Sequence, residues 1–281
     1  MSVKHTPVQA SAKNVSETVS EVVSEVISET VSETVSEVVS EVVSEIPQNV
    51  YDPIAELYDD WSRRVTEDVA FYVEEALTAG GPVVELGVGT GRIAVPTARA
   101  GVNLIGIDLS QAMLDVCRRR AELAGIAERI DLRLGDYRRP PVSERVRLVT
   151  CPFRAYLHLR SDPERTAALR TARRLLEPGG RLVFDVFCPS LEDMRETHGR
   201  WLEREPGIWE HADWRPDERR LDLSVRGDAG ETTMELAWLP AEGWISLLTT
   251  AGFVDVEVYG WFDRRPYTKG EDVVIAARRP A

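Results

Sequence analysis

Three carboxylates, each closing a short apolar run, and a set of alternating glycines are the residues here whose types and spacing could do chemistry. In Val83-Val84-Glu85-Leu86-Gly87-Val88-Gly89-Thr90-Gly91-Arg92 an acid near the end of an apolar stretch precedes three glycines at alternate positions. Without a Cβ, such residues adopt turn conformations and let a ligand lie directly on the backbone. A dinucleotide fingerprint needs a further glycine where Arg92 stands. A carboxylate at Glu85 would repel a pyrophosphate but accept hydrogen bonds from an ammonium group, so the pattern favours a zwitterionic amino-acid nucleoside. Leu104-Ile105-Gly106-Ile107-Asp108 ends in a second acid. It follows the glycine turn at about the 20-residue distance that suits two ribose hydroxyls. Leu132-Arg133-Leu134-Gly135-Asp136-Tyr137 supplies a third, Asp136, able to accept from an exocyclic adenine amine, while the Tyr137 N–H can donate to a ring nitrogen. Singly, each acid also suits a helix N-cap or a turn. Three of them at successive strand ends, in register with a glycine turn, form the informative constellation.

Positioning such groups requires strands that end side by side, and the hydrophobic pattern supplies them. Asp52-Pro53 predicts a helix through Tyr58 and Trp61, with Asp52 as N-cap and Pro53 at the first position. Glu67–Leu77 predicts a second helix, stopped by Ala79-Gly80-Gly81-Pro82. Strands at Val83–Leu86, Asn103–Ile107, Ile130–Leu134, Val146–Cys151 and Arg181–Phe187 alternate with helices at Arg92–Ala100, Ser110–Ala124 and Asp162–Leu176. This is the pattern of parallel βαβ units, whose ligands sit at the carboxyl ends of the strands. Residues 189–240, rich in Trp and charge, interrupt it and predict an insertion over one end of the sheet, with strand-like stretches at Leu221–Val225 and Thr232–Leu239. A helix at Glu242–Ala251 closed by Gly252, then strands at Val254–Tyr259 and Asp272–Ala277, predict an antiparallel pair at the sheet edge.

Composition narrows the possible functions. The 281 residues carry 34 Lys+Arg against 47 Asp+Glu, a net charge of −13, of which residues 1–50 contribute −6 (two Lys, eight Glu). That balance argues against a nucleic-acid partner, which needs a basic face. No apolar run approaches the ~18–20 residues of a membrane span, and the N-terminus lacks a signal-peptide core. Three scattered cysteines form no CxxC and the four histidines are dispersed, so neither a disulfide framework nor a metal is indicated. The expectation is a soluble cytoplasmic protein of enzyme size; the oligomeric state stays open. Residues 15–46 are eight tandem tetrads of the form V-S-E-x. A period of four exceeds the helical 3.6, the glutamates repel one another, and the pattern does not alternate as a half-buried strand must. Residues 1–47 are therefore expected to be a disordered acidic tail, with a partner-dependent helix, a docking element or a substrate segment as alternatives, and residues 48–281 the folded domain.

With VELGVGTGR, GIDLS, GDY and EPGGRLVFDVF in place, the sequence resembles the class I S-adenosylmethionine-dependent methyltransferases over about residues 50–281. The resemblance implies an α/β, Rossmann-like seven-stranded sheet whose last strand is antiparallel, and S-adenosyl-L-methionine as cofactor. It implies that Glu85, Gly87 and Gly89 line the methionine part, Asp108 the ribose and Asp136 the adenine, with Gly91 and Tyr137 as further cofactor-binding candidates. Leu109, Met113 and Cys151 join them as cofactor-binding candidates. The opening YDPIAELYDDW resembles the N-terminal helix that closes over the cofactor in small-molecule members, placing Tyr51, Tyr58 and Trp61 near the sulfonium or carboxylate; otherwise they are core aromatics. Val88 departs from the Cys or Ala of many relatives, a small apolar change.

The methyl acceptor would lie beyond the fourth strand, along Cys151-Pro152-Phe153-Arg154-Ala155-Tyr156-Leu157-His158. This lacks the Asn/Asp-Pro-Pro-Tyr run frequent in members acting on DNA bases. A neutral amine or hydroxyl must lose a proton on methylation, and His158 is the candidate base; it either fills that role, orients substrate, or makes a structural hydrogen bond. Proximity and alignment alone can also supply most of the rate. Tyr51, Arg154 and, from the C-terminal run, Trp261, Arg265 and Tyr267 are candidate acceptor contacts; that run could instead pair with acids of the insertion. Trp201, Trp209 and Trp214 form either an aromatic wall or the insertion's own core. The expected activity is methyl transfer to N or O of a small molecule. The alternatives are a protein or peptide methyltransferase using the N-terminal repeat, and a cofactor-binding scaffold without catalysis.

Overall fold

Short apolar strands alternating with amphipathic helices build a three-layer α/β/α sandwich in the computed structural model, which describes residues 49–63, 66–268 and 272–281. The V-S-E-x repeats lie outside the described residues. In chain order the helices are α1 (Tyr58–Trp61), α2 (Glu67–Ala79), α3 (Ala94–Arg99), α4 (Gln111–Leu123), α5 (Asp162–Leu175), α6 (Leu191–Thr197) and α7 (Ala241–Ala251). The strands are β1 (Val83–Leu86), β2 (Leu104–Asp108), β3 (Ile130–Leu134), β4 (Val146–Cys151), β5 (Leu176–Phe187), β6 (Trp201–Glu205), β7 (Ile208–Arg215), β8 (Arg220–Gly227), β9 (Gly230–Ala237), β10 (Val254–Tyr259) and β11 (Asp272–Arg278).

The main sheet runs β10-β11-β5-β4-β1-β2-β3. Strands β1 to β5 pair in parallel, and β11 is antiparallel to both β5 and β10, the expected topology. Side chains alternate between two apolar layers: Val84 and Leu86 of β1 enter one cluster and Val83 the other. The first layer holds α5 and α7, with Tyr156 stacked 6.1 Å from Trp244 and Phe184 edge-on to both. The second holds α2, α3 and α4. Each fully buried ring contributes roughly 1.5–3 kcal/mol. Local signals fix the helix ends: Ser161 and Glu164 make a capping box on α5, Ser110 caps α4 at the Met113 N–H, and Gly252 closes α7 in the left-handed region.

Two expectations need correction. The first helix does not run unbroken from Pro53: a 3-10 turn spans Asp52–Ile54, with Tyr51 rather than Asp52 as its N-cap residue, and α1 starts only at Tyr58. The Asp52 carboxylate is drawn instead to the Asn49 N–H and the Ser110 hydroxyl. The insertion holds more structure than the two foreseen stretches. It comprises α6 and a four-stranded antiparallel meander, β6-β7-β8-β9. Charge hid β6 and β7, because their polar side chains pair across and beyond the sheet, as Arg204 with Glu210 and Arg215 with Asp222.

Candidate active site

The carboxyl ends of β1, β2 and β4 open on a cavity of about 250 Å³. Gly87 and Gly89, at φ +74° and +53°, form its floor, in backbone conformations that other residues rarely adopt. A Cβ at Gly87 would stand 3.0 Å from the Ala155 Cβ, whereas the space beside Gly89 is open. Asp108 lines the wall; its Oδ2 accepts the Gly89 N–H at 2.8 Å and its Oδ1 the Ser110 N–H at 2.9 Å. Burial raises its pKa above the usual carboxylate value, against the pull of those backbone donors. Leu109, Met113 and Tyr137 complete this side, with the Tyr137 hydroxyl donating to the Ala155 carbonyl at 3.2 Å.

Several sequence candidates lie off this cavity. Glu85 is 2% exposed inside the sheet, and burial pushes its pKa up to about 8, opposed by Arg92. Gly91 packs against α4, since a Cβ there would stand 2.5 Å from the Cys117 Sγ. Asp136 turns to Arg138, Oδ2 to Nε at 2.8 Å, and that partner holds its pKa low although burial opposes the shift. Cys151 is buried under the site, its thiol pKa raised by burial. Trp261, Arg265 and Tyr267 line neither this cavity nor its neighbour: Trp261 packs on the α2–α4 layer, Arg265 bonds Asp263, and Tyr267 packs against the other core. They lie on the connection between β10 and β11, the two strands at that edge of the sheet.

His158 ends a 3-10 turn, Ala155–His158, that follows β4, and its Nε2 lies 2.7 Å from the Tyr51 hydroxyl. The rings meet edge to face at 5.4 Å. Burial pushes the imidazole pKa down to about 4, so the ring is neutral at pH 7, not near the unperturbed ~6.5 of free histidine. Burial also raises the Tyr51 hydroxyl well above its usual value, helped by Tyr58 and Asp108.

Tyr51 and Tyr58 belong to a segment, residues 49–62, that roofs the site and is held on both sides. Thr232 Oγ1 of β9 donates to the Val50 carbonyl, while Glu56 pairs with Arg119 and Asp59 with Arg120 of α4. Trp61, expected at the cofactor, lies instead on a second cavity, where its Nε1 donates to Glu210 Oε2 at 3.0 Å.

That second cavity, about 510 Å³, lies between the roof and the insertion sheet. Tyr51, Tyr58, Phe153 and His158 line both cavities, and Arg154 joins them on the second. Phe153 and Arg154 are consecutive non-glycine residues in the left-handed region, φ +53° and +64°. Such conformations cost about 1–3 kcal/mol each and persist only where the surroundings over-determine them. Asp185 on β5 does this. Its Oδ1 accepts the Phe153 N–H at 2.8 Å and the Tyr72 hydroxyl at 2.6 Å, and its Oδ2 accepts the Arg154 N–H at 3.1 Å. The Arg92 guanidinium, bound to Asp68, sits 4.3 Å from the Phe153 ring centre, and Arg154 reaches Asp272 at 2.9 Å. Burial lifts the Asp185 pKa to about 6.

Neither Phe153 nor Asp185 emerged from the sequence as a site residue. Nothing in a Phe betrays a positive φ, but an acid inside the apolar run VFDVF was a readable signal. Trp214 lines the second cavity, donating Nε1 to Thr197 Oγ1 at 2.8 Å; Trp201 packs on His211 and beneath Arg226, and Trp209 lines neither cavity. Among the described residues no group of three or more His, Cys, Asp or Glu is placed to hold a metal ion, and no helix is long and apolar enough to cross a membrane.

Residues 83–180 match the family model of a methyltransferase domain. The demethylmenaquinone methyltransferase of Renibacterium salmoninarum is 30% identical over 168 residues, covering 54% of this chain and 67% of that protein. The methyltransferase GfsG of Streptomyces halstedii is also 30% identical, over 133 residues that cover 47% of this chain and only 45% of its own length. Among solved structures, the CcbJ methyltransferase from Streptomyces caelestis superposes with a TM-score of 0.70 at 27% identity, covering 83% of this chain and 99% of that one. The sheet order, the glycine floor beside Asp108 and these likenesses lead to one assignment: the chain belongs to the class I S-adenosylmethionine-dependent methyltransferases.

Proposed function

We propose that the chain methylates a small molecule at an amine nitrogen, with the donor in the smaller cavity and the acceptor in the larger. The residues present fit S-adenosylmethionine. Each Asp108 oxygen accepts one backbone N–H and keeps a lone pair for a ribose hydroxyl. Leu109 and Met113 offer an apolar flank for a base, and the open space beside Gly89 admits a chain against the backbone. The bound cofactor supplies an electrophilic methyl; all else falls to the protein. Phe153 and the roof tyrosines shape the passage between the cavities and exclude water from it.

The observation that carries this reading is the Tyr51–His158 pair, on residues common to both cavities. With Nε2 unprotonated, the Tyr51 hydroxyl donates to it, and the phenol oxygen can then accept an N–H from the acceptor. That bond would orient the nitrogen and leave its lone pair free for in-line attack. An imidazole with a pKa of about 4 is a poor base for an alcohol, whereas a neutral amine already carries its nucleophilic pair. Nitrogen is thus favoured over oxygen, and His158 acts as an orienting group. GfsG and CcbJ, methyltransferases by name, support the reaction class. A screen of amines and alcohols of graded size and apolar surface for S-adenosylhomocysteine formation tests the proposal. Turnover confined to amines is the expected result; turnover of alcohols alone, or only of a peptide bearing the V-S-E-x repeat, refutes it.

A further inference from the structure

The larger cavity has a floor whose construction specifies what can lie on it. Ala212 and Trp214 of β7, Leu221 and Leu223 of β8, and Met234 and Leu236 of β9 all line it. They alternate along their strands and share one face of the sheet. The register places Ala212 opposite Leu223 and Leu223 opposite Met234, and beside them Trp214 opposite Leu221 and Leu221 opposite Leu236. Two rows of three apolar side chains thus make a continuous platform. Phe187 and Pro189 bound it elsewhere on the cavity wall.

The polar part of the wall is of one sign. Arg204 is bound to Glu210 and Arg154 to Asp272, so both guanidinium groups are compensated. Asp193 and Glu196 of α6 also line the cavity, and among the described residues neither has a cationic partner within ion-pair distance. The Ser62 hydroxyl, on a residue 4% exposed that lines the same cavity, has no hydrogen-bond partner among the described residues. Size is the third constraint: at about 510 Å³ the cavity has twice the volume of the one that fits a nucleoside amino acid.

We infer that the acceptor is an amphiphilic base at least as large as the methyl donor, with an extended apolar body that lies on the six-residue platform and a basic nitrogen drawn in by the α6 carboxylates. Small amines lack the body, and organic anions meet an uncompensated acidic wall. The inference rests on the reading of the smaller cavity as the donor site. In water the base is an ammonium ion, the form the acidic wall attracts; its proton passes to solvent before the nitrogen can react.

The test uses the full chain saturated with S-adenosylhomocysteine and three probes: an aminopropyl-acridine, an acridine carboxylate and propylamine. The acridines are followed by fluorescence anisotropy and propylamine by competition. The aminopropyl-acridine should bind at least about tenfold tighter than either of the others. Leu223→Lys, at a half-buried platform position, should weaken both acridines by about tenfold or more while melting and S-adenosylhomocysteine affinity stay level. The pair Asp193→Asn with Glu196→Gln should bring the amine and carboxylate affinities together. Equal binding of the three probes, no binding of any, or indifference to Leu223→Lys overturns the inference while leaving the donor site standing. A folded chain that fails to bind S-adenosylhomocysteine overturns the donor reading, and this one with it.

Discussion

Replacing Asp185 by Asn tests whether a buried carboxylate holds the wall between the two cavities. The substitution keeps shape and one acceptor oxygen. In the orientation that retains the Phe153 N–H and the Tyr72 hydroxyl, the new amide NH₂ faces the Arg154 N–H, donor against donor. Leaving that half-buried donor without an acceptor costs up to about 1–3 kcal/mol. A second effect has the opposite sign and depends on pH. The Asp185 pKa rises from 3.8 unfolded to about 6 folded, chiefly through burial. The folded state therefore binds more protons between those values, and wild-type stability falls as pH rises from 3.8 through about 6. At ~1.36 kcal/mol per pKa unit the loss is ~3 kcal/mol, and Asn, which does not ionise, escapes it. The variant should be the less stable protein by about 1–3 kcal/mol near pH 4 and equal or superior near pH 8. Urea denaturation of both proteins across that range measures the difference. The acceptor KM should rise, because Arg154 loses its brace, while S-adenosylhomocysteine affinity stays constant. Parallel stability curves together with an unchanged KM would refute the reasoning.

Four further outcomes are expected. Asp108→Ala should weaken S-adenosylmethionine by about 2–4 kcal/mol in isothermal titration, from the loss of two charged hydrogen bonds partly replaced by water; unchanged affinity in a folded variant removes Asp108 from the donor site. His158→Ala should raise the acceptor KM and leave the shape of the pH–rate profile near 6.5 unchanged, because burial pushes the imidazole pKa down to about 4; a protonation step near 6.5 that vanishes in the variant would contradict the orienting role. Gly91→Ala should destabilise the fold by about 2 kcal/mol or more, through a left-handed φ of +79° and the overlap with the Cys117 Sγ, and a level melting curve would show that α4 yields there. Removing residues 1–46 should leave melting temperature and cofactor affinity level, since a four-residue period offers no continuous apolar stripe; a drop of more than about 3 °C would show that the segment packs.

Much of the smaller cavity's lining was legible because its determinants are local. A glycine turn after β1 and an acid closing β2 are sequence neighbours of the elements that place them, and Gly87, Gly89, Asp108, Leu109, Met113 and Tyr137 all line one cavity. Asp136 shows the limit of that logic. A strand-end acid was visible, but not that Arg138, two residues on, would engage it. The wall shared by the two cavities depends on contacts between distant segments: Tyr51 meets His158 across 107 residues, and Asp185 reaches Phe153 across 32. No periodicity encodes such meetings. Trp261 and Arg265 were chosen for their chemistry, and the hairpin turns them away from the cavities. The alternation of apolar residues in β8 and β9 was readable as strand, whereas its use as a cavity floor depended on how the insertion closes over the sheet.

The doubly anchored roof bears on the order of events in a catalytic cycle. Tyr51 and Tyr58 face both cavities, and the segment carrying them is tied to β9 on one side and α4 on the other. Its ion pairs are half exposed and worth about 0–1 kcal/mol each, so what holds the segment down is chiefly the burial of Ile54, Ala55 and Leu57 beneath it, and lifting it is correspondingly costly. Lifting it would uncover both cavities together. Departure of the two products is then a single gated process rather than two independent ones, and a tightly held acceptor product would slow the exit of S-adenosylhomocysteine by keeping the same gate shut. With donor and acceptor placed as proposed, turnover would be set by the roof, and crowding of the acceptor cavity would register as inhibition at the donor's.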